Sequence, residues 1–207
     1  RLDYEYRRFY TTYDQIEDTS PFESLRDLVE NIYTNEFLET LLPKWNYAIQ
    51  EPDAFTGLPL QRDFYSRNIK NAKERTVVII SDGMRYEVGK ELFRRMQDDP
   101  KCTAKLEAQL SVLPSYTRLG MAALLPHTEL TLTDDFKVLV DGLPCESLSE
   151  REAILQKYNG DAVCVQFDNI KSLKIADLRS VFTGKQVVYI YHNQIDARGD
   201  KLNTEDE

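Results

Sequence analysis

Asp82 and Thr117 are the residues of this chain best suited by type and spacing to do chemistry. Asp82 ends the apolar run Thr76-Val77-Val78-Ile79-Ile80-Ser81, and Thr117 stands 35 positions later (117 minus 82) in Leu113-Pro114-Ser115-Tyr116-Thr117-Arg118-Leu119-Gly120-Met121. A carboxylate leaving the end of a buried strand and a hydroxyl at the start of a helix supply a metal ligand and a nucleophile to one site. A third contribution comes from Val187-Val188-Tyr189-Ile190-Tyr191, an apolar strand that runs into a polar loop bearing Asp196 and Asp200. Carboxylates on adjoining strand ends repel one another unless protonated or neutralised, and a divalent cation removes that repulsion most directly. A metal site is the sharper reading of the set.

Each residue also has a plainer role open to it. An aspartate after a strand serves equally as a turn or helix-cap residue, and Thr117 as an N-cap for the helix that follows. His192 reads as a polar partner at a strand end, His127 as a loop residue, and Asp141 in Val138-Leu139-Val140-Asp141-Gly142 as a strand-end turn. Arg85 has two readings, a contact to substrate phosphate or an ion pair with Glu87.

The elements that must position these groups show in the periodicity. Up to about residue 72 the apolar positions follow helical spacing, with Leu25, Leu28, Val29 and Ile32 on one face. Ser20-Pro21-Phe22-Glu23 has the cap, first-turn proline and glutamate of a helix start. A second helix through Leu41 and Leu42 is expected to stop at Pro43, a third to cover 45–50, and residues 52–59 to form a loop before Phe64. After residue 75, β-branched runs at 77–80, 106–113, 138–140, 162–165 and 187–191 alternate with helical stretches at 86–96 and 119–125. That alternation predicts an α/β fold, a mostly parallel sheet with helices on both faces. The expected division is a helical region over 1–72 and a catalytic domain over 73–207, with the chemistry beyond the carboxyl ends of the strands.

Composition narrows the partners. The 207 residues are 42% hydrophobic, enough for one sizeable core. A net charge of -9 disfavours non-specific attraction to nucleic acid or to acidic membrane, so a polyanionic substrate would need help from metal. Cys102, Cys145 and Cys164 form no CxxC pair, which argues against a disulfide framework and for a cytoplasmic setting. No run approaches the length of a membrane span, the basic start at Arg1 is no signal peptide, and the missing initial methionine suggests an excised piece.

Ser81-Asp82-Gly83-Met84-Arg85-Tyr86-Glu87, the stretch from Leu113 through Thr117 to His127, and Tyr189-Ile190-Tyr191-His192-Asn193-Gln194-Ile195-Asp196-Ala197-Arg198-Gly199-Asp200 resemble, in order, the signatures of the PglZ domain. That family belongs to bacteriophage-exclusion defence and is classed with the alkaline phosphatase superfamily. The resemblance implies an alkaline-phosphatase-like core, truncated on its C-terminal side, in which Asp82 binds one divalent metal and Thr117 touches both metals and is the nucleophile. It also implies that Asp196 binds the second metal. Where many superfamily members place a histidine after the glycine, this chain has Asp200, an oxygen ligand favouring Mn²⁺ or Mg²⁺ over Zn²⁺. The superfamily's later Asp-His pair and final His have no counterpart after Asp200, so the fragment would hold one ion of the two, or none. The function so implied is a metal-dependent phosphoester hydrolase partnered with other proteins of a bacteriophage-exclusion complex. The alternatives are a non-catalytic scaffold of that complex and a metal-dependent nuclease acting on nucleic acid.

Overall fold

The computed structural model of the chain describes residues 1–51, 55 and 57–199. They form two compact units, Arg1–Gly57 with Arg85–Glu107, and Leu58–Met84 with the chain from Ala108 on.

The first unit is helical. It contains α1 (Leu2–Tyr13), α2 (Glu23–Asn31), α3 (Glu39–Ala48) and α5 (Tyr86–Gln97). Its packing is aromatic: Tyr6 of α1 stacks on Tyr33 with ring centroids 3.6 Å apart, and the hydroxyls of Tyr6 and Tyr10 both donate to Glu30, at 2.7 and 2.8 Å. Three local expectations are corrected. Ser20 opens a single 3₁₀ turn, Ser20–Phe22, and α2 begins afterwards at Glu23 without a side-chain cap; Asp18 captures the Ser20 hydroxyl at 2.6 Å and removes it from capping. Pro43 lies inside α3 instead of ending a helix. The π-helical turns of Ile32–Leu38 just upstream change the hydrogen-bond register, a local adjustment that accommodates a residue without an N–H. The face expected to be buried on α2 is open, with Leu28 54% exposed. Part of the loop expected over 52–59 lies outside the described residues.

The second unit holds the sheet. It opens with α4 (Phe64–Asn68), after which β1 (Thr76–Ser81), β5 (Ala162–Gln166) and β6 (Val187–His192) form a parallel sheet in the order β1-β6-β5. Central β6 is apolar on both sides, as a strand covered on both faces must be, and Val188 and Tyr189 are completely buried. On one face Tyr189 and Tyr191 join Val78 and Cys164 in a core that takes in α6 (Thr117–Ala123) and α7 (Leu148–Tyr158). On the other, Val188 and Ile190 pack against residues of α8 (Phe167–Ile170) and α9 (Ile175–Phe182). The fold is α/β with helices on both faces of a parallel sheet, as the alternation of runs predicts. The Ser147 hydroxyl and Glu150 carboxylate close a reciprocal capping box that starts α7, a helix not anticipated from the pattern.

Two expected strands behave otherwise. Residues 138–140 do form a strand, β3, but in a separate antiparallel sheet with β2 (Leu130–Leu132) and β4 (Leu143–Pro144). The two-residue link Asp141-Gly142, at φ 50° and 77°, is a hairpin connection and forces the antiparallel return. Residues 106–113 are not a strand: only Leu110 pairs, in a parallel bridge to Leu60, because among the described residues no strand lies alongside the rest. Among the described residues no helix is long and apolar enough to cross a membrane.

Candidate active site

Asp82 and Thr117 line one cleft of about 230 Å³ beyond the carboxyl ends of β1, β6 and β5, together with Arg151, Gln166, Tyr191 and His192. Strand ends are where an open parallel sheet presents ligand-binding groups, because loops there sit on a rigid frame.

The strand register places Asp82. Ser81 pairs with His192 across the β1–β6 ladder, and the Asp82 amide donates to the His192 carbonyl at 3.0 Å, so the carboxylate is tied to the strand end. The Gly83 amide donates to Asp82 Oδ1 at 3.1 Å. Gly83 itself has φ +72°, and a Cβ there would meet the Asp196 backbone at 3.1 Å. Only glycine permits that approach, which seats the Asp82 turn against Asp196.

Thr117 is placed by anchors around α6. Leu119, Ala122 and Ala123 are buried, and the Tyr189 hydroxyl donates to the Leu124 carbonyl at 2.7 Å, fixing the far end of the helix to the central strand. The side chain of Gln61 bridges the near side, donating to the Gly120 carbonyl at 3.2 Å and accepting from the Val112 amide at 3.1 Å. The helix begins at Thr117 itself, with Tyr116 in the N-cap position and no side-chain cap. Thr117 is exposed and its hydroxyl makes no hydrogen bond among the described residues, so its capping role is not observed.

Asp196 stands in α10 (Gln194–Gly199), a short helix where a loop was expected. Gln194 anchors that helix by donating to Asp168 at 2.8 Å; Lys171 and Gln194 together hold the Asp168 carboxyl below the usual carboxylate range. Asp200 lies outside the described residues. Arg85 belongs to the helical unit and pairs with Glu87 at 3.6 Å. His127 donates from Nδ1 to the Leu125 carbonyl at 2.8 Å, and Asp141 is a turn residue whose carboxylate accepts from the Thr128 and Glu129 amides.

His192 engages Ser81 Oγ through Nδ1 at 2.8 Å and meets the Phe167 ring edge-on, which is the polar strand-end role expected of it. Arg151 was not legible as a site residue. Its only nearby sequence signal is the capping box that starts α7 four residues earlier, and nothing in that motif points toward the cleft.

Asp82 and Thr117 offer oxygen donors of the type a hard divalent cation takes, and the Asp196 backbone adjoins them through Gly83. Among the described residues no three His, Cys, Asp or Glu side chains gather closely enough to hold an ion. The described donors alone fall short of the ligand set a divalent cation takes.

The family described as the BREX system PglZ alkaline phosphatase-like domain matches residues 64–207. The alkaline phosphatase-like protein PglZ of Bacillus cereus (strain H3081.97) is 43% identical over 213 residues, and the alkaline phosphatase-like protein BrxZ of Escherichia coli O9:H4 (strain HS) is 37% identical over 221. Both alignments take in 100% of this chain and 25% of the relative, so the chain spans about a quarter of the length of these curated relatives. No solved structure matches the chain. With its Asp82 and Thr117 segments brought to one strand-end cleft, the chain belongs to the PglZ family of alkaline phosphatase-like domains.

Proposed function

We propose that this chain forms part of a metal-dependent phosphoester hydrolase acting in phage defence, with Thr117 as nucleophile. The observation that carries the reading is the Thr117 hydroxyl, which lines the Asp82 cleft and is not used as a helix cap. Asp82, Thr117, Asp196 and Asp200 are the residues that would hold divalent cations, Zn²⁺, Mn²⁺ or Mg²⁺. Bound there, such a cation would polarise the phosphoryl group and lower the pKa of the hydroxyl.

In this scheme the Thr117 hydroxyl gives its proton to solvent as its oxygen attacks phosphorus in line, the ester P–O bond breaks, and the alcohol leaves with a proton from solvent. Water then cleaves the phosphothreonine and regenerates the hydroxyl. The strand ends hold Asp82 fixed while α6 presents Thr117, so little reorganisation is needed at the moment of reaction. The cytoplasm is the proposed setting and other BREX proteins the proposed partners.

The test uses the full-length protein with Thr117→Val. Hydrolysis of p-nitrophenyl phosphate and bis(p-nitrophenyl) phosphate, measured with each cation, should fall at least about 1,000-fold while melting stays unchanged, since the hydroxyl makes no hydrogen bond among the described residues. Retained turnover would sink the nucleophile assignment. Loss of stability and complex assembly in step with activity would support a scaffold instead.

A further inference from the structure

The cleft holds a cation that nothing described above uses. Arg151 projects from α7, is half-buried, and donates through Nε to the Cys145 carbonyl at 2.8 Å. Its guanidinium carbon lies 4.7 Å from the centre of the Tyr191 ring. Those two contacts fix the plane of the group, and the Cys145 carbonyl occupies one of its five N–H donors.

No carboxylate among the described residues pairs with Arg151. Its sequence neighbours are engaged elsewhere: Glu150 accepts from the Ser147 amide at 2.8 Å and Glu152 from the Cys164 amide at 2.8 Å. The other arginine of the cleft, Arg118, is exposed and neutralised by Glu146 at 2.9 Å. Beside Arg151, the buried Tyr191 hydroxyl makes no hydrogen bond of good geometry, only looser contacts with Arg151 and Cys164, and its residue lines the same cleft. A half-buried guanidinium that lines the Thr117 cleft without a carboxylate at ion-pair distance among the described residues is an incomplete anion site, since a partly buried charge is costly to leave uncompensated.

We propose that Arg151 binds the non-bridging oxygens of the phosphoester in this cleft, braced by the Cys145 carbonyl and the Tyr191 ring. This assignment rests on the reading of the cleft as a phosphoester site. It places a fixed planar donor in the Thr117 cleft, where it holds the phosphoryl group for attack and offsets its negative charge in a chain that is acidic overall.

The experiment measures binding of inorganic phosphate to the full-length protein by calorimetry, for the parent and for Arg151→Met and Arg151→Lys. Methionine keeps an apolar stem against Tyr191; lysine keeps the charge and loses the planar fork. Loss of one charge-assisted contact should weaken phosphate about 10-fold or more in Arg151→Met and by an intermediate amount in Arg151→Lys, with melting temperature retained in at least the lysine variant. Equal phosphate affinity in the parent and both variants would overturn the assignment, as would a parent that binds no phosphate. Hydrolysis by Thr117→Val tests the underlying reading separately: a dead Thr117→Val protein with unaltered phosphate affinity in the Arg151 variants would sink Arg151 alone. An active Thr117→Val protein would sink the catalytic reading of the cleft.

Discussion

The helical unit and the sheet unit treat their apolar residues in opposite ways. In the sheet unit Leu125, Leu155, Val188 and Tyr189 reach complete burial, and the central strand is covered on both faces. In the helical unit Leu25, Leu28, Leu42 and Trp45 stay about half exposed, and cohesion comes from stacked tyrosines bonded to Glu30 and Asp3. Helical periodicity announces that a face wants cover without saying what covers it; a strand apolar on both sides can exist only if both faces are packed. The candidate chemistry sits on the unit with the closed core, where strand ends give catalytic groups a rigid base.

Substitution in the closed core should sharpen this contrast most. Leu155→Ala deletes a completely buried side chain and is expected to cost about 2–5 kcal/mol, read as faster amide exchange across β5 and β6 in the full-length protein. A loss below about 1 kcal/mol would mean that the sheet core is looser than its burial indicates.

A smaller effect belongs to the hairpin turn of the second sheet. Asp141 accepts from two amides and from the Tyr158 hydroxyl at 3.0 Å, and the amide bonds, led by that of Glu129, hold its carboxyl below the usual range. A depressed folded-state pKa contributes stability that is present above the unfolded value, about pH 3.9, and is lost as pH falls through the folded value. Asp141→Asn tolerates the left-handed backbone at φ 50° but removes the charge, so about 1 kcal/mol should be lost at neutral pH. Melting of parent and variant should converge under acid conditions. A gap that persists at pH 2 would show that geometry, rather than charge, carries the contribution.

The smallest change is expected in the helical unit. Leu28→Ser, at a position 54% exposed, should shift stability by no more than about 0.5 kcal/mol and leave exchange in α1 unaltered. A loss on the scale of the Leu155 variant would show that this face is covered in the full-length protein, and would erase the difference between the units.

Particular residues show how far sequence reasoning reaches. The strands expected at 77–80, 162–165 and 187–191 and the helix expected at 119–125 form within one or two residues of those bounds, because their apolar runs are continuous and their chemistry is local. The strand expected over 106–113 failed because β-branched and apolar character signals suitability for a sheet, not the presence of a neighbour to pair with. Residues 138–140 were assigned to the wrong sheet because the Asp141-Gly142 link sets the direction of return, which the run of valines does not encode.

By itself the sequence determined the class of fold, the positions of Asp82 and Thr117 at element ends, and the family resemblance, because periodicity and motif order are properties of the chain read locally. Tertiary structure alone decided that Thr117 is exposed in the Asp82 cleft without a capping bond, and that Gly83 admits the Asp196 backbone. It also decided that Arg85–Glu107 groups with the N-terminal helices and that Arg151, 34 residues beyond Thr117 (151 minus 117), reaches the same cleft. The physical reason is that a site is a set of distances between elements, and those distances follow from packing and sheet register, which no single segment of sequence contains.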